Sequence, residues 1–153
     1  MNSITVNWLG PFSLNQTTPR ELMRKMGVYA VLHSPSYIFI GKAKRGKGIF
    51  RQAKVNREEE YWRGLRKLQL VTGKVPVRYK LITEVYDKCA LYAGVVSKDD
   101  LEHVDDLEKL LIYKLKPVCN DKFIKHQKSN EQIQVVNIGN PPTGLESFTY
   151  SLE

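Results

Sequence analysis

The stretch Gly27-Val28-Tyr29-Ala30-Val31-Leu32-His33, followed by Ser34-Pro35-Ser36 and then Tyr37-Ile38-Phe39-Ile40-Gly41, decides the fold. Two apolar, β-rich runs flank a short segment of turn formers. Serine and proline favour a chain reversal, so the pattern predicts two antiparallel strands joined as a hairpin. Gly41 closes the second strand. Working downstream, Gly46 and Gly48 mark a loop before a helix that begins near Ile49 and carries Arg51, Lys54 and Arg57. A second helical stretch is expected over Glu58–Leu70 and a third strand over Val77–Val85, with Ala90–Val96 adding another. Ser97 with Asp100 resembles a helix start, and Leu101, Val104, Leu111 and Leu115 carry the apolar spacing of a helix that Pro117 ends.

Upstream of the hairpin, the first eighteen residues show no steady period, and Pro11, Asn15 and Pro19 suggest a loosely attached arm before a helical turn around Glu21–Lys25. Beyond Asn120 the chain turns polar, with a short strand expected at Ile133–Val136 and a break at Gly139-Asn140-Pro141-Pro142. Strands followed by helices point to an α+β fold with a small mixed or antiparallel three-stranded sheet flanked by helices. The division is an N-terminal arm over 1–20, a folded domain over 21–125 and a C-terminal extension over 126–153, both extensions peripheral.

The charge is unevenly placed. Residues 20–80 hold 16 Lys or Arg against 4 Asp or Glu, a net +12, whereas the remainder is net −4. A basic region that also carries Tyr37, Phe39, Phe50, Tyr61, Trp62 and Tyr79 is the footprint of a surface for polyanions, with nucleic acid the leading partner. The other reading is a lysine face that only solubilises a helix. No run of about 18 apolar residues is present, so no membrane helix is expected and the chain reads as cytoplasmic. Cys89 and Cys119 belong to no CxxC pair, and His33, His103 and His126 are scattered, so any metal is expected on oxygen ligands. No glycine-rich phosphate loop supports triphosphate hydrolysis.

Glu108 stands out because positions 104, 108, 111 and 115 share a helical stripe whose other members are Val, Leu and Leu. Burying an ionised carboxylate costs several kcal/mol unless a cation or donors satisfy it. The partner is either Mg²⁺ or an internal group such as Arg51, Lys42 or a tyrosine hydroxyl; the other reading is a boundary position half exposed beside Lys109.

Taken together, Gly27-Val28-Tyr29, Tyr37-Ile38-Phe39-Ile40-Gly41, Arg51, Glu108, Leu115-Lys116-Pro117 and Asn120 resemble the GIY-YIG nuclease family over residues 27–120. Gly41-Lys42-Ala43-Lys44 is similar to the matching stretch in the incision domain of the bacterial excision-repair nuclease. The resemblance implies a metal-dependent endonuclease acting on nucleic-acid phosphodiesters, DNA ahead of RNA. In it Tyr29 is the general base, Arg51 clamps the phosphate, and Glu108 holds one Mg²⁺ or Mn²⁺. Lys42 and Arg51 supply the field that would lower the phenol's pKa. Asn120 is expected to fix a backbone turn at the site, and Lys44, Arg45, Lys47, Lys54 and Arg57 to meet nucleic acid, with Arg45 the fallback arginine. Trp62, Tyr61 and Arg63 are candidates for stacking on bases or for core packing.

Two departures weigh on turnover. Phe39 stands where the family has its second tyrosine; Tyr37, two residues away on the same strand, either offers its hydroxyl on the same face or is ordinary strand packing. Val55 stands where members often carry His or Tyr. The alternative is therefore a catalytically inactive nucleic-acid-binding module, and a third reading is docking to an acidic protein or RNA scaffold.

Overall fold

A computed structural model describes residues 2–33, 36–54, 88–120, 133–145 and 149–151. The helix expected over Glu58–Leu70, the strand over Val77–Val85, Val55, Arg57 and the Tyr61-Trp62-Arg63 cluster lie outside the described residues. Six strands form one sheet: β1 (Asn2–Ser13), β2 (Gly27–His33), β3 (Ser36–Ala43), β4 (Ala90–Val95), β5 (Ile133–Gly139) and β6 (Thr149–Ser151), in the order β3-β2-β4-β1-β5-β6. Five are of substantial length and the sixth is a three-residue edge. The α+β class is as expected, but the sheet is twice as wide as the three strands the sequence suggested.

The hairpin of β2 and β3 forms as read, with Val28 opposite Lys42 and Tyr29 opposite Gly41. Its strands are apolar in unbroken runs because the sheet is covered on both faces. On one face Tyr29, Val31, Phe39, Leu91 and Ala93 pack against Ile49, Phe50 and Ala53 of helix α1, described over residues 49–54. On the other, Val28, Ala30, Ile40, Ile4, Val6 and Trp8 pack against Val104, Leu107, Leu110 and Leu111 of helix α2 (Val104–Leu115).

Two expectations about the extensions are corrected. The presumed arm is β1, an inner strand that pairs antiparallel with β4 and parallel with β5. Ile4, Val6 and Trp8 alternate with polar Thr5 and Asn7 and are fully buried, so a period of two was present. Pro11 obscured it, yet it sits where the β1–β4 register shifts between Leu9 and Phe12, a place where a missing N–H is tolerated. The presumed C-terminal tail supplies β5, longer than the short strand expected. It is tied to β1 by Trp8 Nε1 donating to Asn137 Oδ1 at 2.8 Å and by Asn140 Nδ2 donating to the Gly10 carbonyl at 2.6 Å.

The helix expected from Ser97 is divided. A 3-10 segment covers Lys98–His103 without a side-chain cap from Ser97, and the α-helix begins at Val104. It stops at Lys116, whose left-handed φ of 49° turns the chain into Pro117. The chain then runs along the open edge of β3. Val118 N donates to the Tyr37 carbonyl and Cys119 N to the Ile38 carbonyl, covering an edge that would otherwise expose unpaired backbone. Cys89 and Cys119 are free and buried, and desolvation, with a smaller contribution from Cys119, pushes the Cys89 thiol up to about 12. No helix among the described residues is long and apolar enough to cross a membrane.

Candidate nucleic-acid interface

Most of the residues singled out by the sequence fall into two groups toward the Gly27–Ala43 end of the hairpin, on opposite faces of the sheet, while Tyr37 lies near its turn. Tyr29 belongs to the α1 face. It has no exposed surface, its ring lies 6.1 Å from that of Phe39, and its hydroxyl lies across Gly41. A Cβ added at Gly41 would stand 2.3 Å from the Tyr29 hydroxyl, so the second motif ends in glycine because the phenol occupies that volume. Phe39 is 5% exposed and completes the same core.

Tyr37 does not share that face. Val31 pairs with Phe39 but Leu32 pairs with Tyr37, so Ile38 is an extra residue in β3. Ile38 and Phe39 both enter the α1-side core while Tyr37 packs with the α2-side core. The bulge breaks the alternation on which the i, i+2 expectation rested. The Tyr37 hydroxyl donates instead to the Thr143 carbonyl.

Lys42 and Glu108 are brought together on the α2 face. Lys42 Nζ lies 2.7 Å from Asp105 Oδ1 and 3.5 Å from Glu108 Oε1, and Lys44 Nζ lies 2.9 Å from Asp105 Oδ2. Burial works against the charge on Lys42, but the hydrogen bond it donates to Asp105 and the fields of Glu108 and Asp105 raise its pKa above the ordinary lysine value. Hydrogen bonds from Lys42 and Lys44 hold Asp105 below the ordinary carboxylate range. Of the partners considered for Glu108, the structure supplies Lys42. Lys42 is thus a cation paired with Glu108 in this structure. The described residues contain no group of three His, Cys, Asp or Glu gathered for a metal. Asp105 and Glu108 could each offer an oxygen ligand to a divalent ion, and Lys42 is the cation that faces them here.

The depressed pKa of Asp105 makes a pH prediction. A carboxyl with a lower pKa folded than unfolded adds stability above its unfolded value, near 3.8, and loses it as pH falls through the folded value. Asp105 is 44% exposed, so solvent screening holds the contribution below about 1 kcal/mol. Asp105→Asn should therefore unfold at lower urea than wild type at pH 7, and the gap should narrow as pH falls below about 3.8. A gap that does not narrow as the carboxyl is protonated would show that the ion pair is not its source.

On the α1 side a cleft of about 630 Å³ is lined by Thr18, Met23, Arg24, Gly46, Lys47 and Arg51. Leu22, fully buried, anchors the 3-10 turn Arg20–Leu22 that presents Met23 and Arg24. Gly48, at φ 96°, lets the opposite wall approach: a Cβ there would meet the Lys25 carbonyl at 2.7 Å, and Ile49 N donates to that carbonyl at 2.9 Å. Arg45, Lys47 and Arg51 are exposed. Lys44 is engaged by Asp105. Lys54 donates to the Gln16 carbonyl at 2.6 Å and lies 4.9 Å from the centroid of the Phe50 ring. Thr18, Met23 and Arg24 were not singled out in the sequence; the traces of the last two were the turn expected around Glu21–Lys25 and the place of Arg24 in the basic region.

Asn120 closes the group. Its side chain accepts from Ile40 N and donates to the Ile40 carbonyl, both at 2.9 Å, so it pairs with β3 as another peptide would. No protein-family model, no characterised protein and no solved structure matches the chain.

Proposed function

We propose that this chain is a nucleic-acid-binding module that grips backbone phosphates, DNA ahead of RNA, at the Gly27–Ala43 end of its hairpin. One observation carries the reading: Arg24, Lys47 and Arg51 converge on one cleft. Among the described residues none of the three is ion-paired with a carboxylate, and cations so placed attract a polyanion and release its counterions. The +12 bias of residues 20–80 and the resemblance to GIY-YIG nucleases point the same way.

Turnover has weaker support, which favours the inactive module over the endonuclease. A general base must reach the water it activates, and Tyr29 has no exposed surface. Phe39 has no hydroxyl to give, Tyr37 is committed to Thr143, and Lys42 occupies the position beside Glu108.

Anisotropy titration of a labelled DNA duplex across salt concentrations tests this. Log K should fall linearly with log salt, and Lys47→Ala and Arg51→Ala should each weaken binding and lower the slope by about 1. Salt-independent binding, or slopes untouched by both variants, would overturn the interface. Nicking of supercoiled DNA by wild type with Mg²⁺, lost in Glu108→Ala, would make the chain a nuclease.

A further inference from the structure

The same cleft carries more than charge. Its lining joins three cations, Arg24, Lys47 and Arg51, to Thr18 and to Met23, which is 60% exposed. Single exposed apolar residues are ordinary on protein surfaces. This one shares a recess with three cations, and its thioether adapts to flat or irregular groups. The volume of about 630 Å³ is in the range of small-ligand sites. The wall at Gly46 is open among the described residues, none of which comes within 4 Å of where a Cβ would stand. Arg24 holds a left-handed φ of 57°, an uncommon backbone for a residue with a Cβ, and such outliers gather at ligand sites.

A passing duplex offers one negative charge per phosphodiester, strung along the groove. Three cations around one recess match instead the near-double charge of a phosphomonoester. We infer that the cleft receives a terminal nucleotide, its phosphomonoester on Arg24, Lys47 and Arg51 and its nucleoside against Met23. This deepens the reading of the chain as a nucleic-acid-binding module and rests on it. The same chemistry is offered by a strand end and by a free mononucleotide, and the test separates the two.

With the full chain, anisotropy compares a short single-stranded DNA carrying a terminal phosphate with the same strand ending in hydroxyls, and AMP and inorganic phosphate serve as competitors. The phosphorylated strand should bind about tenfold tighter or more, as expected for charge-assisted contacts to one group. AMP should compete at lower concentration than inorganic phosphate. Arg24→Gly should abolish the end preference without unfolding the protein, because glycine adopts a positive φ freely. Met23→Ser should abolish the advantage of AMP over phosphate. If AMP binds and no strand does, the cleft serves free nucleotides and the nucleic-acid reading fails. If all strands bind alike and salt-sensitively while AMP competes no better than phosphate, the nucleic-acid reading stands and the end-receptor inference is overturned.

Discussion

Gly41→Ala is expected to destabilise the fold by about 3 kcal/mol or more, the upper range for inserting a methyl into a packed core. The new Cβ would stand 2.3 Å from the Tyr29 hydroxyl, 2.4 Å from Cζ and 2.7 Å from Cε1. Tyr29 has no room to yield, since it is fully buried between Phe39, the β4 residues opposite it and the helix α1 side chains. Gly46→Ala is the control: its φ of 82° strains an alanine, but nothing lies within 4 Å, so it should lose only about 1–2 kcal/mol. Tyr29→Phe added to Gly41→Ala should recover part of the loss, because the hydroxyl goes while the ring atoms remain. Urea unfolding at neutral pH reads all three. Equal midpoints for Gly41→Ala and Gly46→Ala would show that Tyr29 does not occupy the space above Gly41.

That packing explains which parts of the molecule could be read from the sequence. The hairpin was legible because both strands are buried on both faces, so apolar residues run on without polar interruption. The α2 helix was legible for the opposite reason, a single apolar stripe. A bulge leaves no mark in composition, so nothing announced that Ile38 would turn Tyr37 away from Phe39. β1 carried a two-residue period at Ile4, Val6 and Trp8, but its partners β4 and β5 lie more than 75 residues downstream in pairs such as Asn7 with Val95 and Ile4 with Val135. Local pattern cannot supply such pairings. The candidate site divides similarly. Lys42 was already a possible partner for Glu108, while the cleft depends on a tertiary approach of the Met23–Arg24 turn to the loop before α1.

The second large effect concerns the edge of β3. Asn120 is 8% exposed and satisfies both the N–H and the carbonyl of Ile40, which is fully buried. Asn120→Ala leaves two buried backbone groups without partners, at about 1–3 kcal/mol each, so a loss of roughly 2–5 kcal/mol is expected in urea unfolding. Asn120→Asp adds a sign. The aspartate can still accept from Ile40 N, but it has no donor for the carbonyl and, when ionised, sets a charge against it. Burial and that carbonyl both raise its folded pKa above the unfolded value near 3.9. The protonated form regains a donor, so Asn120→Asp should be closer to wild type at pH 3.5 than at pH 7, whereas the Asn120→Ala deficit should change little between them. Ile40 immediately precedes Gly41 and Lys42, so this pairing also holds the strand that positions the Tyr29 packing and the Lys42–Glu108 contact. A deficit under about 0.5 kcal/mol for Asn120→Ala would mean that water replaces the side chain and that the β3 edge is open rather than paired.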